Sequence, residues 1–360
     1  MGDSPNVILN LRLKWAGESP AAGRHVGAAD RLGVAGIGEV APPQEVALGR
    51  DRHAPESRVG PSSLRPPPPY VAGMRDLTGK TAVITGAASG IGRAFAERFA
   101  KAGMNIVLAD VEEPRLEEAE AGIRALGVEA LSVVTDVSDP GAVERLRDEA
   151  LTRFGRVNVL CNNAGVAGSM TGDGSIQLAD WQWVLGVNLW GVVHGHRSFL
   201  PHLLEHGDGH IVNTASMAGH LPGHSAYSAS KWAVVAITEG LFQSLRAQGS
   251  SVGVSCLCPG WVDTDIAVSQ RNRPEWAAPP ALEEPSEAAA LIQGFIADQL
   301  RGGAQPAQVA DLVHDAVLAE RFWVFTDPQM VASLDARFEA VRSGENPPPM
   351  GLVTQGPGGD

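Results

Sequence analysis

The sequence predicts an α/β fold: a doubly wound parallel sheet of about seven strands, with helices on both faces. Three observations predict it. Short apolar runs of strand length alternate with amphipathic stretches of helix length across residues 81–325. The runs are apolar almost without interruption, as strands buried on both faces must be. The first run passes straight into a glycine-rich turn and a helix-length stretch, which is how a crossover to a parallel neighbour begins.

The strand-length runs cover residues 81–84, 105–108, 131–134, 157–160, 210–212, 252–257 and 322–325. Residues 115–126 and 142–154 carry helical spacing between them. Residues 306–341 read as helix, strand, helix and complete the sheet edge. One folded domain is therefore expected over residues 76–342, with an arm at 1–75 and a flexible tail at 343–360. Ten of the 25 prolines lie in residues 1–73, beside eight basic and seven acidic residues and no sustained period. Such a segment buries too little apolar area to offset the entropy of ordering it. A disordered arm is the expectation, with Met74 an alternative start. The arm has neither the apolar stretch of a secretory signal nor the acid-poor composition of a transit peptide. The chain holds no internal repeat.

Hydrophobic residues make up 44% and charged residues 19%, which supplies a sizeable core and excludes wholesale disorder. The net charge is −13, from 28 Lys and Arg against 41 Asp and Glu. That balance excludes duplex DNA and anionic membrane as main partners, since both require clustered cations. Three cysteines (Cys161, Cys256 and Cys258) cannot frame a disulfide scaffold. No apolar run reaches the roughly 18 residues of a membrane span. A soluble cytoplasmic protein is expected.

The first chemistry lies in the turn Thr85-Gly86-Ala87-Ala88-Ser89-Gly90-Ile91-Gly92. Glycines let the backbone turn tightly and approach a pyrophosphate, whose charge sits against a helix N-terminus. Asp110 ends the second strand, where a carboxylate accepts hydrogen bonds from both hydroxyls of an adenosine ribose. Strand before, helix after and acid at the next strand end together predict a dinucleotide site in a Rossmann fold.

The spacing Gly-x-x-x-Gly-x-Gly resembles the cofactor turn of the short-chain dehydrogenase/reductase family. Further matches follow in order: Asp136-Val137, Asn162-Asn163-Ala164-Gly165, Asn188 in Val187-Asn188-Leu189, Ser216, Tyr227-Ser228-Ala229-Ser230-Lys231 and Pro259-Gly260-Trp261-Val262-Asp263-Thr264. The match is close over residues 76 to about 265. By that resemblance the chain is an oxidoreductase acting on CH–OH groups. Asn188, Ser216, Tyr227 and Lys231 would be its catalytic residues. Gly86, Ser89, Gly90, Ile91, Gly92, Asp110, Asp136, Val137, Asn163, Tyr227, Lys231, Pro259, Gly260, Val262 and Thr264 would bind the cofactor. Asn188 would anchor a water that extends the proton path from Lys231.

The residues make chemical sense on their own. Tyr227 and Lys231 are four apart and share one helix face. A tyrosine near pKa 10 is a poor base, and a neighbouring ammonium favours its phenolate. Tyr227 can then take a proton from an alcohol as hydride leaves carbon, and Ser216 can stabilise the same oxygen. Singly, each would be an ordinary helix or loop residue; the ordered set carries the reading.

Asp110 repels a 2′-phosphate, Val111 is no pairing arginine, and Arg93 lies too far along the helix, so NAD is favoured over NADP. The alternatives are an NADPH-dependent carbonyl reductase and a non-catalytic dinucleotide-sensing protein. Residues 265–305, with Trp276, Pro279-Pro280 and a helical stretch over 288–296, are expected to cover a hydrophobic alcohol or ketone. A homodimer or homotetramer is expected. His202-Leu203-Leu204-Glu205-His206 spells a zinc pattern but reads as a solvated helix end, and no metal is expected. His220 and His224 are expected to flank the pocket. Trp181, Trp183 and Trp190 are expected in core or subunit packing, and Cys256 and Cys258 on one strand face.

Overall fold

The computed structural model describes Met74 and residues 76–168, 177–278 and 287–346. Among them one seven-stranded sheet is formed by β1 (Thr81–Thr85), β2 (Asn105–Asp110), β3 (Ala130–Val134), β4 (Val159–Asn162), β5 (His210–Thr214), β6 (Gly253–Cys258) and β7 (Trp323–Phe325). Every pairing is parallel, in the order β3-β2-β1-β4-β5-β6-β7. The doubly wound sheet expected from the apolar runs is what the chain forms. The crossover and flanking helices are α1 (Gly90–Lys101), α2 (Glu113–Arg124), α3 (Pro140–Phe154), α4 (Leu178–Leu185), α5 (Gly191–His206), α6 (Ala226–Ala247), α7 (Glu287–Arg301), α8 (Pro306–Ala319), α9 (Pro328–Ala332) and α10 (Leu334–Ser343).

Alternation along the strands builds two cores from one apolar run. Ala82, Ile84, Ile106 and Leu108 face Phe95 and Phe99 of α1, Leu116 and Ile123 of α2, and Val309, Val313 and Val317 of α8. Val83 and Val107 face the other way, toward Leu146 of α3, Phe199 and Leu203 of α5, and Leu245 of α6. Both faces are covered, which explains why the strands lack a polar side. Each fully buried Phe or Leu is worth about 1.5–3 kcal/mol.

β4 begins at Val159, two residues inside the predicted run, and Asn158 just before it serves as a brace. Its Oδ1 accepts from the Thr81 amide at 3.2 Å, and its Nδ2 donates to the Asp208 carbonyl at 3.1 Å. The segment predicted to cover the site splits into 3₁₀ stretches at Asp265–Asn272 and Glu275–Ala277, followed by α7. Pro279-Pro280 lies outside the described residues. So do residues 1–73, on which the expectation of a disordered arm falls, and most of the tail.

Sheet order positions the site. It reverses between β1 and β4, whose crossovers leave in opposite directions and part the strands' carboxyl ends into a crevice. At the opposite end of the sheet, Met74 and Leu77 are only 6% and 3% exposed and pack in the α1 core. A chain starting at Met74 should keep the melting temperature of the full chain. One starting at Gly79 should melt several degrees lower, since two buried apolar side chains are lost and 1 kcal/mol is worth about 2–4 °C at this size. Thermal scans of the three chains check both.

Candidate functional site

At the reversal point the backbone of β1 is knotted to that of β4. The Thr85 hydroxyl accepts from the Asn163 and Ala164 amides at 2.9 and 3.0 Å, and Asn163 Nδ2 donates to the Thr85 carbonyl at 3.0 Å. Thr214 at the end of β5 donates to Asn163 Oδ1 at 3.2 Å. Gly86 then turns with φ +68°, where a side chain would be strained. A Cβ on Gly92 would lie 2.1 Å from the Gly86 carbonyl oxygen, so α1 can close on the turn only with glycine there. Ser89 precedes α1 without capping it through its side chain. The amide groups of the first turn therefore face the crevice, as an anionic pyrophosphate requires.

Asp110 stands at the edge of this turn. Its Oδ2 accepts from the Ala88 amide at 3.0 Å, and its Oδ1 accepts from Val111 and Glu112 at 2.7 and 3.1 Å. The carboxylate thus braces the glycine turn as well as lining the crevice. Arg93 points elsewhere, pairing with Glu97 and Glu118 at 3.4 and 3.0 Å.

The crevice is about 820 Å³ and holds most of the candidate residues in its wall: Gly86, Ser89, Gly90, Ile91, Asp110, Asp136, Val137, Asn163, Ser216, Tyr227, Lys231, Pro259, Gly260, Val262 and Thr264. Two do not line it. Gly92 is turned inward on Gly86. Asn188 is 1% exposed and sits in a π turn, Gly186–Trp190, between α4 and α5. Its Oδ1 accepts from the Val166 amide at 2.8 Å, while Nδ2 donates to the Val166 carbonyl at 3.0 Å and to Ser230 Oγ at 3.1 Å. This side chain positions the loop after β4.

Ser225 caps α6 by accepting from the Ser228 amide at 3.1 Å, so Tyr227 stands in the first turn and Lys231 one turn on. Lys231 Nζ donates to the Thr214 carbonyl at 2.8 Å and lies 5.6 Å from the Tyr227 ring centroid. Burial holds its ammonium down to about 8. Burial also pushes the Tyr227 phenol above its usual value, and a hydrogen bond with Ser216 works the other way. Ser216 Oγ accepts from the Ala218 amide at 3.1 Å, which fixes the hydroxyl at the crevice floor. Beyond Tyr227 the wall turns apolar, with Trp183, Leu221, Ile266, Trp276, Ile296 and Leu300.

Some expected neighbours are elsewhere. His220 does not flank the pocket; it packs against Trp323 and Phe325, ring centroids 5.5 and 5.7 Å away, with Nε2 3.3 Å from Cys258 Sγ. A ring flanked by two aromatics is drawn into the sheet edge. His224 is exposed and outside the crevice wall. Trp190 is 53% exposed, whereas Trp183 is buried. His202, Glu205 and His206 end α5 with ligand atoms within 4.8 Å of one another. The nitrogen His202 would offer from Nε2 already accepts from the Val157 amide at 3.1 Å. Cys256 and Cys258 share a strand face with sulfurs 3.7 Å apart.

Sequence reasoning missed the clamps on the cover. Arg273 pairs with Asp180 at 2.7 Å and lies over Trp183 at 5.1 Å. Arg271 pairs with Glu112 at 2.7 Å. No local spacing announces either, because the partners are 93 and 159 residues apart.

Comparison with known proteins bears directly on this crevice. The family model for short chain dehydrogenase matches residues 80–275. The chain is 37% identical to 1-deoxy-11-beta-hydroxypentalenate dehydrogenase of Streptomyces exfoliatus, over 76% of this chain and 92% of that one. Among solved structures, a short chain dehydrogenase/reductase from Burkholderia phymatum in complex with NAD is 44% identical. It superposes with a TM-score of 0.73 and covers 78% of this chain and 100% of its own. An actinorhodin polyketide ketoreductase with NADPH is 29% identical, with a TM-score of 0.58, over 71% of this chain and 99% of that one. The glycine turn and uncapped helix fit a nicotinamide dinucleotide. Gly92→Ala should therefore weaken binding of NADH and NADPH at least ten-fold, because the Cβ displaces the turn. Fluorescence titration of both against the unaltered protein checks this.

Proposed function

The chain belongs to the short-chain dehydrogenase/reductase family and is an oxidoreductase acting on CH–OH groups, and from that premise we propose that it interconverts a hydrophobic secondary alcohol and its ketone with NAD, using Tyr227 as acid and base. The observation that carries the reading is the convergence of Ser216, Tyr227 and Lys231 on one crevice whose far end is closed by Asp110. When bound, the nicotinamide ring supplies the hydride acceptor or donor.

Glycine 86, glycine 90 and the first turn of α1 hold the pyrophosphate, with Thr264 Cγ2 only 3.2 Å from where a Gly90 Cβ would stand. Asp110 would accept from an adenosine ribose, and Asp136 and Val137 would hold the adenine. Asn163, Lys231 and the 259–264 turn would hold the nicotinamide end. Ser216 donates to the substrate oxygen and holds it beside the Tyr227 hydroxyl. Burial keeps Tyr227 protonated at rest, which suits it to donate a proton to a ketone. In the oxidative direction, Ser216 and the Lys231 ammonium favour the phenolate as Tyr227 takes the alcohol proton. Asn188 is a positioning residue: its amide is spent on Val166 and Ser230. A water on the proton path would then rest on backbone groups of its π turn.

Several features support the finer choices. The Asp110 carboxylate lines the ribose corner and would repel a 2′-phosphate, and Arg93 is engaged outside it, which favours NAD over NADP. The apolar wall around Trp276 suits a substrate with a large hydrophobic skeleton. The named activities of relatives, on pentalenate and polyketide skeletons, agree with such a wall. Cys161, Cys256 and Cys258 are buried free thiols, which suits a reducing compartment, the cytoplasm. Among the described residues no helix is long and apolar enough to cross a membrane.

Tyr227→Phe should lower turnover by about 10²–10⁴-fold while leaving NAD affinity nearly unchanged. The rise of oxidation rate with pH should vanish with it. Turnover near that of the unaltered enzyme would refute the assignment.

For the cofactor, the unaltered enzyme should show the higher kcat/KM with NAD. Asp110→Ala combined with Val111→Arg should shift preference toward NADP, because a repelling carboxylate gives way to a pairing guanidinium. An unaltered enzyme that prefers NADP would overturn the Asp110 argument.

A further inference from the structure

The 3₁₀ stretch Asp265–Asn272 runs along the mouth of the crevice. It starts beside the glycine turn, where Thr264 approaches Gly90, and ends at the corner between β2 and α2. There Glu112 takes a dense set of hydrogen bonds from it. Arg271 Nη2 donates to Glu112 Oε1 at 2.7 Å, Arg271 Nε reaches both carboxylate oxygens at 3.1 and 3.2 Å, and Asn272 Nδ2 donates to Oε1 at 2.8 Å. Arg115 adds a second tie from α2, donating to Asp265 Oδ2 at 3.0 Å.

The ties join the two sides of the groove assigned above to the dinucleotide. Asp110, Val111 and Glu112 line one side, and Asp265, Arg271 and Asn272 the other. Within the stretch, Arg271 Nη1 also donates to the carbonyls of Asp265 and Val268 at 3.3 and 3.2 Å, bracing a kink at Val268. A further tie lies at its middle, where buried Ser269 accepts from the Ala167 amide at 3.0 Å, so opening of the corner frees only its Glu112 end. Burial alone would raise the Glu112 carboxyl, but the bonds from Arg271 and Asn272 outweigh it and hold it below the usual range, so the carboxylate stays charged near neutrality.

We propose that Glu112 is a positioning residue that latches residues 265–272 over the adenosine end of the groove, and that release of this latch sets the rate of cofactor exchange. The inference rests on the dinucleotide reading. It follows from geometry: a ligand running from Asp110 to Tyr227 passes beneath a strap fastened on both sides, and it leaves sideways only when one fastening opens. The Glu112 fastening is partly in water, with side-chain exposures of 17% for Glu112 and 29% for Arg271, so its groups are rehydrated when it opens.

The test uses the full chain with Glu112→Gln, Arg271→Gln and the double variant. Hydrogen–deuterium exchange of residues 265–272 is read without cofactor, and dissociation of NADH and NADPH is read by stopped-flow fluorescence. Each single variant should speed exchange in the strap and release the bound dinucleotide about two- to five-fold faster. The double variant should release it more slowly than the product of the two single effects predicts, since both remove the Glu112–Arg271 pair. Unchanged release in Glu112→Gln overturns the latch, and so do additive effects in the double variant. Faster strap exchange in a protein that takes up neither dinucleotide would instead overturn the cofactor reading, and the exchange role with it. Melting temperatures equal across the set exclude general loosening.

Discussion

The site depends on one side chain, the amide of Asn163. It ties the end of β1 to the end of β4 through the Thr85 carbonyl, and takes the Thr214 hydroxyl of β5 on its oxygen. Three strands are thereby held at a fixed separation where the sheet order reverses and no ladder bond joins them further. The same amide limits what can stand above it. Cβ atoms on Gly86 and Gly92 would approach its Nδ2 to 3.2 and 2.6 Å. A buried polar network of this kind is favourable only when every partner is present. Here it converts a topological gap into a rigid floor for the glycine turn.

From that floor the polar groups of the crevice are set in series. Thr214 gives its hydroxyl to Asn163 and its carbonyl to Lys231, so the position of the lysine is referred to the same knot as the glycine turn. Lys231 is 3% exposed, and an ammonium so far from water needs such an acceptor. Tyr227 and Lys231 are then subject to opposite effects of one cause. Burial disfavours charge on both, raising the phenol and lowering the ammonium. Their values therefore move apart, the phenol above its usual range and the ammonium down to about 8, so at rest the proton stays on Tyr227.

The sheet was legible in the sequence because its strands are buried on both faces and therefore apolar throughout; all seven runs coincide with strands to within about two residues. The glycine turn, Asp110 and the Tyr227–Lys231 spacing were legible because each is local. What escaped was set by topology. Asn158 braces the entry to β4 through a bond to Thr81, 77 residues away. The π turn at Asn188 has no signature in residues 186–190, since it arises where an amide must reach Val166 and Ser230 at once. His220 was expected at the pocket by sequence proximity to Ser216, but Trp323 and Phe325 from the last strand draw it into the edge.

The two arginines of the cover show how burial divides labour within a few residues. Arg273 and Asp180 are 6% and 11% exposed at the side chain, and Arg273 is stacked on Trp183. Separating a pair so buried leaves uncompensated charges at a cost of about 3–5 kcal/mol. Arg271 and Glu112 keep more contact with water, and pairs nearer the surface are worth about 0–1 kcal/mol. The backbone passes from 3₁₀ to extended between them, at Arg273 with ψ 126°. The Arg273 clamp therefore holds the cover beside Trp183 more firmly than the Glu112 tie holds it at the corner between β2 and α2.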